Sequence, residues 1–286
     1  MGSATTTATN AASATILTVT YIGAPKTLYI YSDSVWIYKL AWAPVTIWNG
    51  TSWTNTVGPD ATLDGRIAGV YSTSANGTIT AKNLTIATGG SLTVNSGTNI
   101  TLTEGLINSL AATAVVVENN ANIVQTTGAT NLNTGAITIK RNSNSLMLLD
   151  NVMWGSPVTG QQLQAFSPAT LPNRFYTYDS TTNLYVNETA TNNFADAKGY
   201  LIRMPNTHPT TPTVWEGSFV GVPHSGDYSY TPTIGFNSVA NPYPSTISMA
   251  AFVADNPTIS GTLYFWRKTN STVVLPGYCS WNSGTY

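Results

Sequence analysis

Apolar residues along this chain alternate with polar ones or sit in short runs bounded by Gly, Asn, Ser and Pro, and a helical 3.6-residue period is almost absent. This pattern predicts an all-β protein. Three strands rich in β-branched and aromatic residues come first, Ala14–Ile22, Thr27–Tyr31 and Ser34–Leu40, separated by Gly-Ala-Pro and Ser-Asp-Ser turns. Residues 1–46 read as an N-terminal arm or small β segment.

From Gly77 to Arg141 the strands shorten and recur at a fixed interval. Leu84, Leu92 and Ile100 lie eight residues apart, as do Val115 and Ile123. Between them stand Gly89-Gly90, Ser96-Gly97 and Asn119-Asn120, residue types that accept positive φ at tight corners. The expectation is a β-solenoid over residues 47–141, with about two to three coils of roughly 20 to 30 residues each. A β-sandwich of short hairpins is the alternative. Over residues 142–286 the spacing lengthens and aromatics gather in Arg174–Tyr178, Tyr200–Met204, Val214–Phe219 and Gly261–Trp266. Strands of this length between Pro- and Asn-rich loops point to an antiparallel β-sandwich or jelly roll. One short helix is expected over Thr246–Phe252, with Ser245 as its cap.

Composition narrows the function classes. Only 8% of the 286 residues are charged, against about 25% in an ordinary soluble domain. Thr, Ser and Asn make up about a third of the chain, so hydroxyls and amides wet its surface in place of ions. A net charge of −1 offers no footprint for phosphate backbones or anionic lipid, which argues against nucleic-acid binding. No apolar run is long enough to span a bilayer as a helix. A single cysteine, Cys279, excludes an intrachain disulfide and a cysteine-rich zinc site.

The candidate chemistry is thin. Between Gly77 and Arg141 the ionisable side chains are Lys82, Glu104, Glu118, Lys140 and Arg141, too few for a lyase face with several acids. His208 and His224 each neighbour a proline, with no H-x-x-x-H or H-x-E spacing, and read as loop residues. Asp60 and Asp64 lack the further oxygens of a calcium loop and read as turn or capping residues. Gly155-Ser156-Pro157 lacks the frame of a nucleophile elbow. No catalytic, metal-binding or cofactor-binding residues are therefore assigned. Thr85, Thr93 and Thr101 would fall on successive faces of a coil, which argues against an ice-binding array. Aromatic side chains in open β loops can stack on sugar rings. Trp154, Trp215, Tyr228, Tyr230 and Trp281 are the candidate platforms, although the core is the stronger reading for Trp215, in a strand with Val214 and Phe219, and for Trp266.

From Trp48 onward several phrases resemble extracellular proteins of Bacteroidetes, especially flavobacterial surface proteins exported by the type IX secretion system. They are Trp48-Asn49-Gly50-Thr51-Ser52-Trp53-Thr54-Asn55, Gly90-Ser91-Leu92-Thr93-Val94 followed by Gly97, and Lys198-Gly199-Tyr200-Leu201-Ile202-Arg203. Ala240-Asn241-Pro242-Tyr243-Pro244-Ser245-Thr246-Ile247 and Gly261-Thr262-Leu263-Tyr264-Phe265-Trp266 complete the set. In such proteins the W-N-G-x-x-W segment opens the mature chain, a solenoid follows, and the N-P-Y-P module precedes further β repeats and a C-terminal sorting domain. Residues 1–46 depart from that layout, and no sorting domain follows within the 286 residues, so the resemblance implies a fragment or a processed chain.

The resemblance implies a location outside the cell and a structural or adhesive role. Low charge removes repulsion between copies, and the alternating segment Ile16, Leu17, Val19, Tyr21 and Ile22 is the candidate strand for addition to a neighbour's sheet. The expected partner is therefore the protein itself, as a homo-oligomer, filament or stalk. Surface glycans are the second partner class, in which case the chain is a carbohydrate-binding module of an adhesin or a glycan-degrading enzyme.

Overall fold

A computed structural model describes residues 27–32, 35–41, 45–126, 128–259, 261–268 and 277–282. The proposed arm strand containing Ile16, Leu17, Val19, Tyr21 and Ile22 lies outside these residues. Strands β1 (Thr27–Ser32) and β2 (Val35–Ala41) form an antiparallel hairpin at the two segments expected from alternation.

The solenoid starts with β3 (Val45–Trp48) and winds through β4 (Asp64–Ile67), β5 (Val70–Ser72) and β6 (Ile79–Ala81). The next coil holds β7 (Leu84–Ile86), β8 (Ser91–Val94) and β9 (Asn99–Leu102). A further coil holds β10 (Leu106–Asn108), β11 (Val115–Val117) and β12 (Asn122–Gln125). Strands one coil apart pair in parallel: β3, β4, β7 and β10 on the first face, β5, β8 and β11 on the second, β6, β9 and β12 on the third. Stacked partners such as Gly65 and Leu84, or Asn99 and Asn122, give coils close to the expected length. The count is about four turns, more than the two to three expected, because the repeat begins at Val45 and not at Gly77.

Each strand turns every second side chain inward. Leu84, Ile86, Leu92, Val94, Ile100, Leu102, Val115 and Val117 are buried in one aliphatic column, and each such side chain contributes about 1.5–3 kcal/mol by leaving water. The outward Thr85, Thr93 and Thr101 fall on three different sheets, as the eight-residue interval predicts. Glycine is obligatory where successive coils touch. A β-carbon on Gly90 would lie 2.1 Å from the Ile67 carbonyl oxygen, and one on Gly69 would lie 2.5 Å from the α-carbon of Gly50.

Both ends of this stack would expose strand edges unless closed. At the N-terminal end the W-N-G-x-x-W phrase folds back on β3, with Thr54 N donating to Ile47 O at 2.9 Å. The Asn49 carboxamide oxygen holds the turn by accepting from Thr51 N and Ser52 N. Trp48 is buried there against Trp53 and Tyr71, and its indole N–H donates to Val70 O on the outer edge of β5. At the other end each face is closed differently. The first face takes Asn133 and Thr134, whose side-chain oxygen and backbone groups bond to Leu106 and Asn108.

The second face simply continues. Strand β13 (Ile137–Leu146) pairs in parallel with β11 and is the link to the rest of the chain. After β14 (Asn151–Trp154), β15 (Val158–Thr159), β16 (Phe175–Asp179), β17 (Leu184–Asn187) and β18 (Tyr200–Arg203), strand β19 (Thr213–Pro223) returns antiparallel to β13. The six-stranded sheet β15-β19-β13-β11-β8-β5 therefore runs through both regions. A separate antiparallel sheet has the order β14-β18-β16-β17. Its inner side chains Trp154, Phe175, Tyr200 and Ile202 share one aromatic core with Leu163, Phe166, Phe194 and Phe219.

The third face is closed by the N-P-Y-P segment. The Pro244 carbonyl accepts from Ile123 N of β12 and from the Arg141 guanidinium, both at 3.2 Å, and Thr246 N donates to the Asn122 side chain. The following helix spans Met249–Asp255 and is capped by Ser248, whose hydroxyl accepts from Ala251 N, not by Ser245. Ser245 is committed instead to the turn, its carbonyl accepting from Asn241 Nδ2 at 2.6 Å. A last hairpin pairs β20 (Thr262–Arg267) with β21 (Gly277–Asn282).

Candidate functional site

The aromatics chosen from the sequence as glycan platforms occupy other positions. Trp154 is 9% exposed and meets Phe166, Trp215 and Phe219 edge to face, so it is a core residue. Trp281 is 4% exposed. Trp215 is half-buried against Trp154 and Phe166. Tyr228 is half-buried between His224 and Tyr243, at ring separations of 4.6 and 5.8 Å. Tyr230 is half-buried as well. The reason is area: a large ring gains more by leaving water against other rings than a small side chain does, and the strand pairing here provides those partners.

The polar candidates fall into structural roles. Asp60 accepts from both the backbone N–H and the hydroxyl of Thr62, which hold its carboxyl below the usual range. Asp64 accepts from Asn83 on the next coil. Ser156 is buried and bonds its own turn at Val158. His208 lies in a loop and is buried, donating from Nε2 to the carbonyls of Leu146 and Thr213. Among the described residues no group of three or more His, Cys, Asp or Glu is placed to hold a metal ion. No described helix is long and apolar enough to cross a membrane.

Two surface features are organised beyond these local roles. The first is a cleft of about 310 Å³ between the edge of β12 and the N-P-Y-P segment, lined by Gln125, His224, Asp227, Tyr243 and Ile247 among others. His224 forms its floor. Its Nδ1 lies 3.0 Å from the Pro242 carbonyl, which can only accept, so Nδ1 carries the proton. Nε2 then accepts from the Thr159 hydroxyl at 2.9 Å, while Asp196 stands 3.3 Å away. Burial pushes the imidazole pKa down and the Asp196 carboxylate opposes that shift. Both nitrogens are engaged, which suits His224 to locking the cleft floor and not to proton transfer with a ligand.

The second feature is the β20–β21 hairpin, of which the sequence assigns Trp266 to the core and Trp281 to a platform. Cross-strand pairs Tyr264 with Ser280, and Trp266 with Tyr278, place Tyr264, Trp266 and Tyr278 on one face. Tyr264 is 52% exposed and Tyr278 is 53% exposed. Neither ring hangs free. Phe236 meets Tyr264 edge to face at 5.6 Å, and Trp266 meets Tyr278 at 5.4 Å. The Tyr278 hydroxyl bonds that of Tyr185 at 3.1 Å, the Trp266 indole N–H donates to Asn151 O, and Lys268 pairs with Asp150. Burial pushes the Tyr185 hydroxyl pKa up, so it stays protonated as a hydrogen-bond partner. Thr262, Ser280 and Asn282 share the same face as the two exposed tyrosines. This surface can offer flat apolar rings beside the neutral hydroxyls of Thr262 and Ser280.

No curated protein and no solved structure matches the chain. The model of one family, described as a domain of unknown function (DUF8693), matches residues 42–285.

Proposed function

We propose that this chain, which belongs to the DUF8693 family, is a structural and adhesive module of an extracellular surface protein. The observation that carries this reading is the six-stranded sheet shared by the solenoid and the antiparallel region. Through it a pull on one region passes to the other along continuous backbone hydrogen bonds and not through a flexible linker. The closed ends of the stack, the low charge and the phrases shared with flavobacterial surface proteins support the same role. We further read the antiparallel region as a small sandwich, since the β14-β18-β16-β17 sheet packs its aromatic face against Phe219 of β19.

Self-assembly is the finer form of this reading. The hairpin β1–β2 is two-stranded among the described residues, and a hairpin of that size is only marginally stable without further partners. Pairing between copies through such edges would produce a head-to-tail polymer. Negative-stain electron microscopy with light scattering on the full chain tests this directly. Regular fibres are expected from self-assembly, and a strict monomer at all concentrations would sink it. Protease shaving of intact cells that express the full protein tests location: release of its peptides is expected, and complete protection would remove the surface assignment.

A further inference from the structure

The geometry points to the Tyr264–Tyr278 face of the β20–β21 hairpin as a binding site for a neutral polysaccharide chain. Tyr264 and Tyr278 are diagonal neighbours on one face of an antiparallel pair, which sets them about 7–8 Å apart. Each is about half exposed, and each is braced by a second ring that meets it at a steep angle, 82° for Phe236 and 63° for Trp266. Bracing fixes the rings before any ligand arrives, so little side-chain entropy is lost on binding.

The choice of occupant follows from the polar groups. The Trp266 N–H and the Tyr278 hydroxyl are already spent on Asn151 and Tyr185, which leaves the half-exposed rings of Tyr264 and Tyr278 as the accessible element. The polar strand residues sharing the face are Thr262, Ser280 and Asn282, all neutral; Lys268, next on the same side, has its charge taken up by Asp150, and Arg267 alternates to the opposite face with Phe265 and Cys279. Sugar rings offer what this face lacks and lack what it offers: an apolar C–H side for the tyrosines and hydroxyls for the neutral rim. Among the described residues an acidic polymer would find no cation on this face but Lys268, which Asp150 already neutralises, and a second copy of the chain would meet the same half-spent aromatic surface without complementary charge. The proposal rests on the surface-module reading for its biological setting, but not for its chemistry.

Affinity electrophoresis of the full chain through gels containing hydroxyethylcellulose, laminarin or glycogen, with alginate as an anionic comparison, tests the assignment. Retardation by at least one neutral polymer is expected. Tyr264→Ala with Tyr278→Ala is expected to weaken it by about a hundredfold, about tenfold for each ring. Tyr264→Phe with Tyr278→Phe keeps the ring faces and should keep binding. Tyr264→Ala alone leaves the Tyr278–Tyr185 bond in place and should still cost about tenfold, which separates ring loss from collapse of the hairpin. Retardation by alginate alone, no retardation by any neutral polymer, or full binding by the double alanine variant would each overturn the proposal. So would light scattering showing a dimer that only the double alanine variant dissolves, since the face would then belong to a second copy. Cell shaving reports separately on the surface reading: neutral-glycan binding by a protein absent from the surface would remove the setting and leave the site intact.

Discussion

The solenoid spreads its stability over many equivalent contacts, whereas the antiparallel region concentrates it in one knot of rings. In the solenoid, Leu84, Leu92, Ile100 and their stacked partners bury similar aliphatic side chains coil after coil, so each coil depends mainly on the coils beside it. In the antiparallel region Trp154, Phe166, Phe194 and Phe219 all touch one another or a shared neighbour, with Phe166 and Phe219 stacked at 4.3 Å. The difference teaches where each region is vulnerable. A repetitive stack tolerates local loss but must be closed at its ends, and a single cluster needs no end caps but fails as a unit.

The strongest way to break this contrast is Phe219→Ala. Phe219 lies in the aromatic core but its strand belongs to the sheet shared with the solenoid. A loss of about 3–5 kcal/mol is expected, with a single urea transition seen alike by tryptophan fluorescence and by circular dichroism. A solenoid that melts later in its own step would show two independent units. Next is Arg141→Ala, which removes a half-buried guanidinium that donates to the carbonyls of Glu118, Lys140, Ala121 and Pro244. Hydrogen bonds from a charged donor predict a loss of about 1.5–3 kcal/mol, and amide hydrogen exchange should rise first along β12. Unchanged exchange at Ile123 would mean that Pro244 does not close the third face. Ser248→Ala removes the cap of an exposed helix outside both cores, so about 1 kcal/mol of helix stability is expected. That loss should appear as fraying at Met249–Asp255 with little change in the global midpoint.

The smallest effect concerns acidity. Burial holds the His224 pKa below 6.5 in the folded protein, so the unfolded chain takes up its proton first as the pH falls. Stability from this group is therefore complete above pH 6.5 and is lost between 6.5 and the lower folded-state pKa. Attraction to Asp196 offsets part of the shift, which keeps the slope shallow. Thermal midpoints recorded from pH 7.5 downward, compared with His224→Gln, should show a fall that the variant lacks; a rise on acidification would reverse the assignment.

Much of the solenoid was legible in the sequence because its signal is local. The eight-residue interval located β7, β8, β9, β11 and β12 and placed their threonines on separate faces. Asp64–Ile67 escaped because Asp and Arg interrupt its apolar pattern, and Val45–Trp48 escaped because a long turn separates it from the next coil. Residue type alone chose Trp154 and Trp281 as platforms, but exposure depends on what a strand meets across the sheet, and tryptophan has the most area to hide. Tyr264-Phe265-Trp266 is an unbroken aromatic run, so its pattern does not say which rings face outward. Nothing local says that Phe236, far along a loop, would brace Tyr264. The docking of Pro244 on β12 was equally invisible, because its partners Arg141 and Ile123 lie more than a hundred residues upstream.

That last separation sets an order of events in time. Coils can zip together as soon as about twenty residues have been made, since each contact closes a short loop. The third face, however, waits for Pro244 and Thr246, and Thr246 closes on Asn122 across a sequence separation of 124. A nascent chain therefore carries a finished column with one raw edge until Pro244 and Thr246 have emerged. During that interval the open edge of β12 is the place where a chaperone would hold the protein and where two unfinished chains would stick.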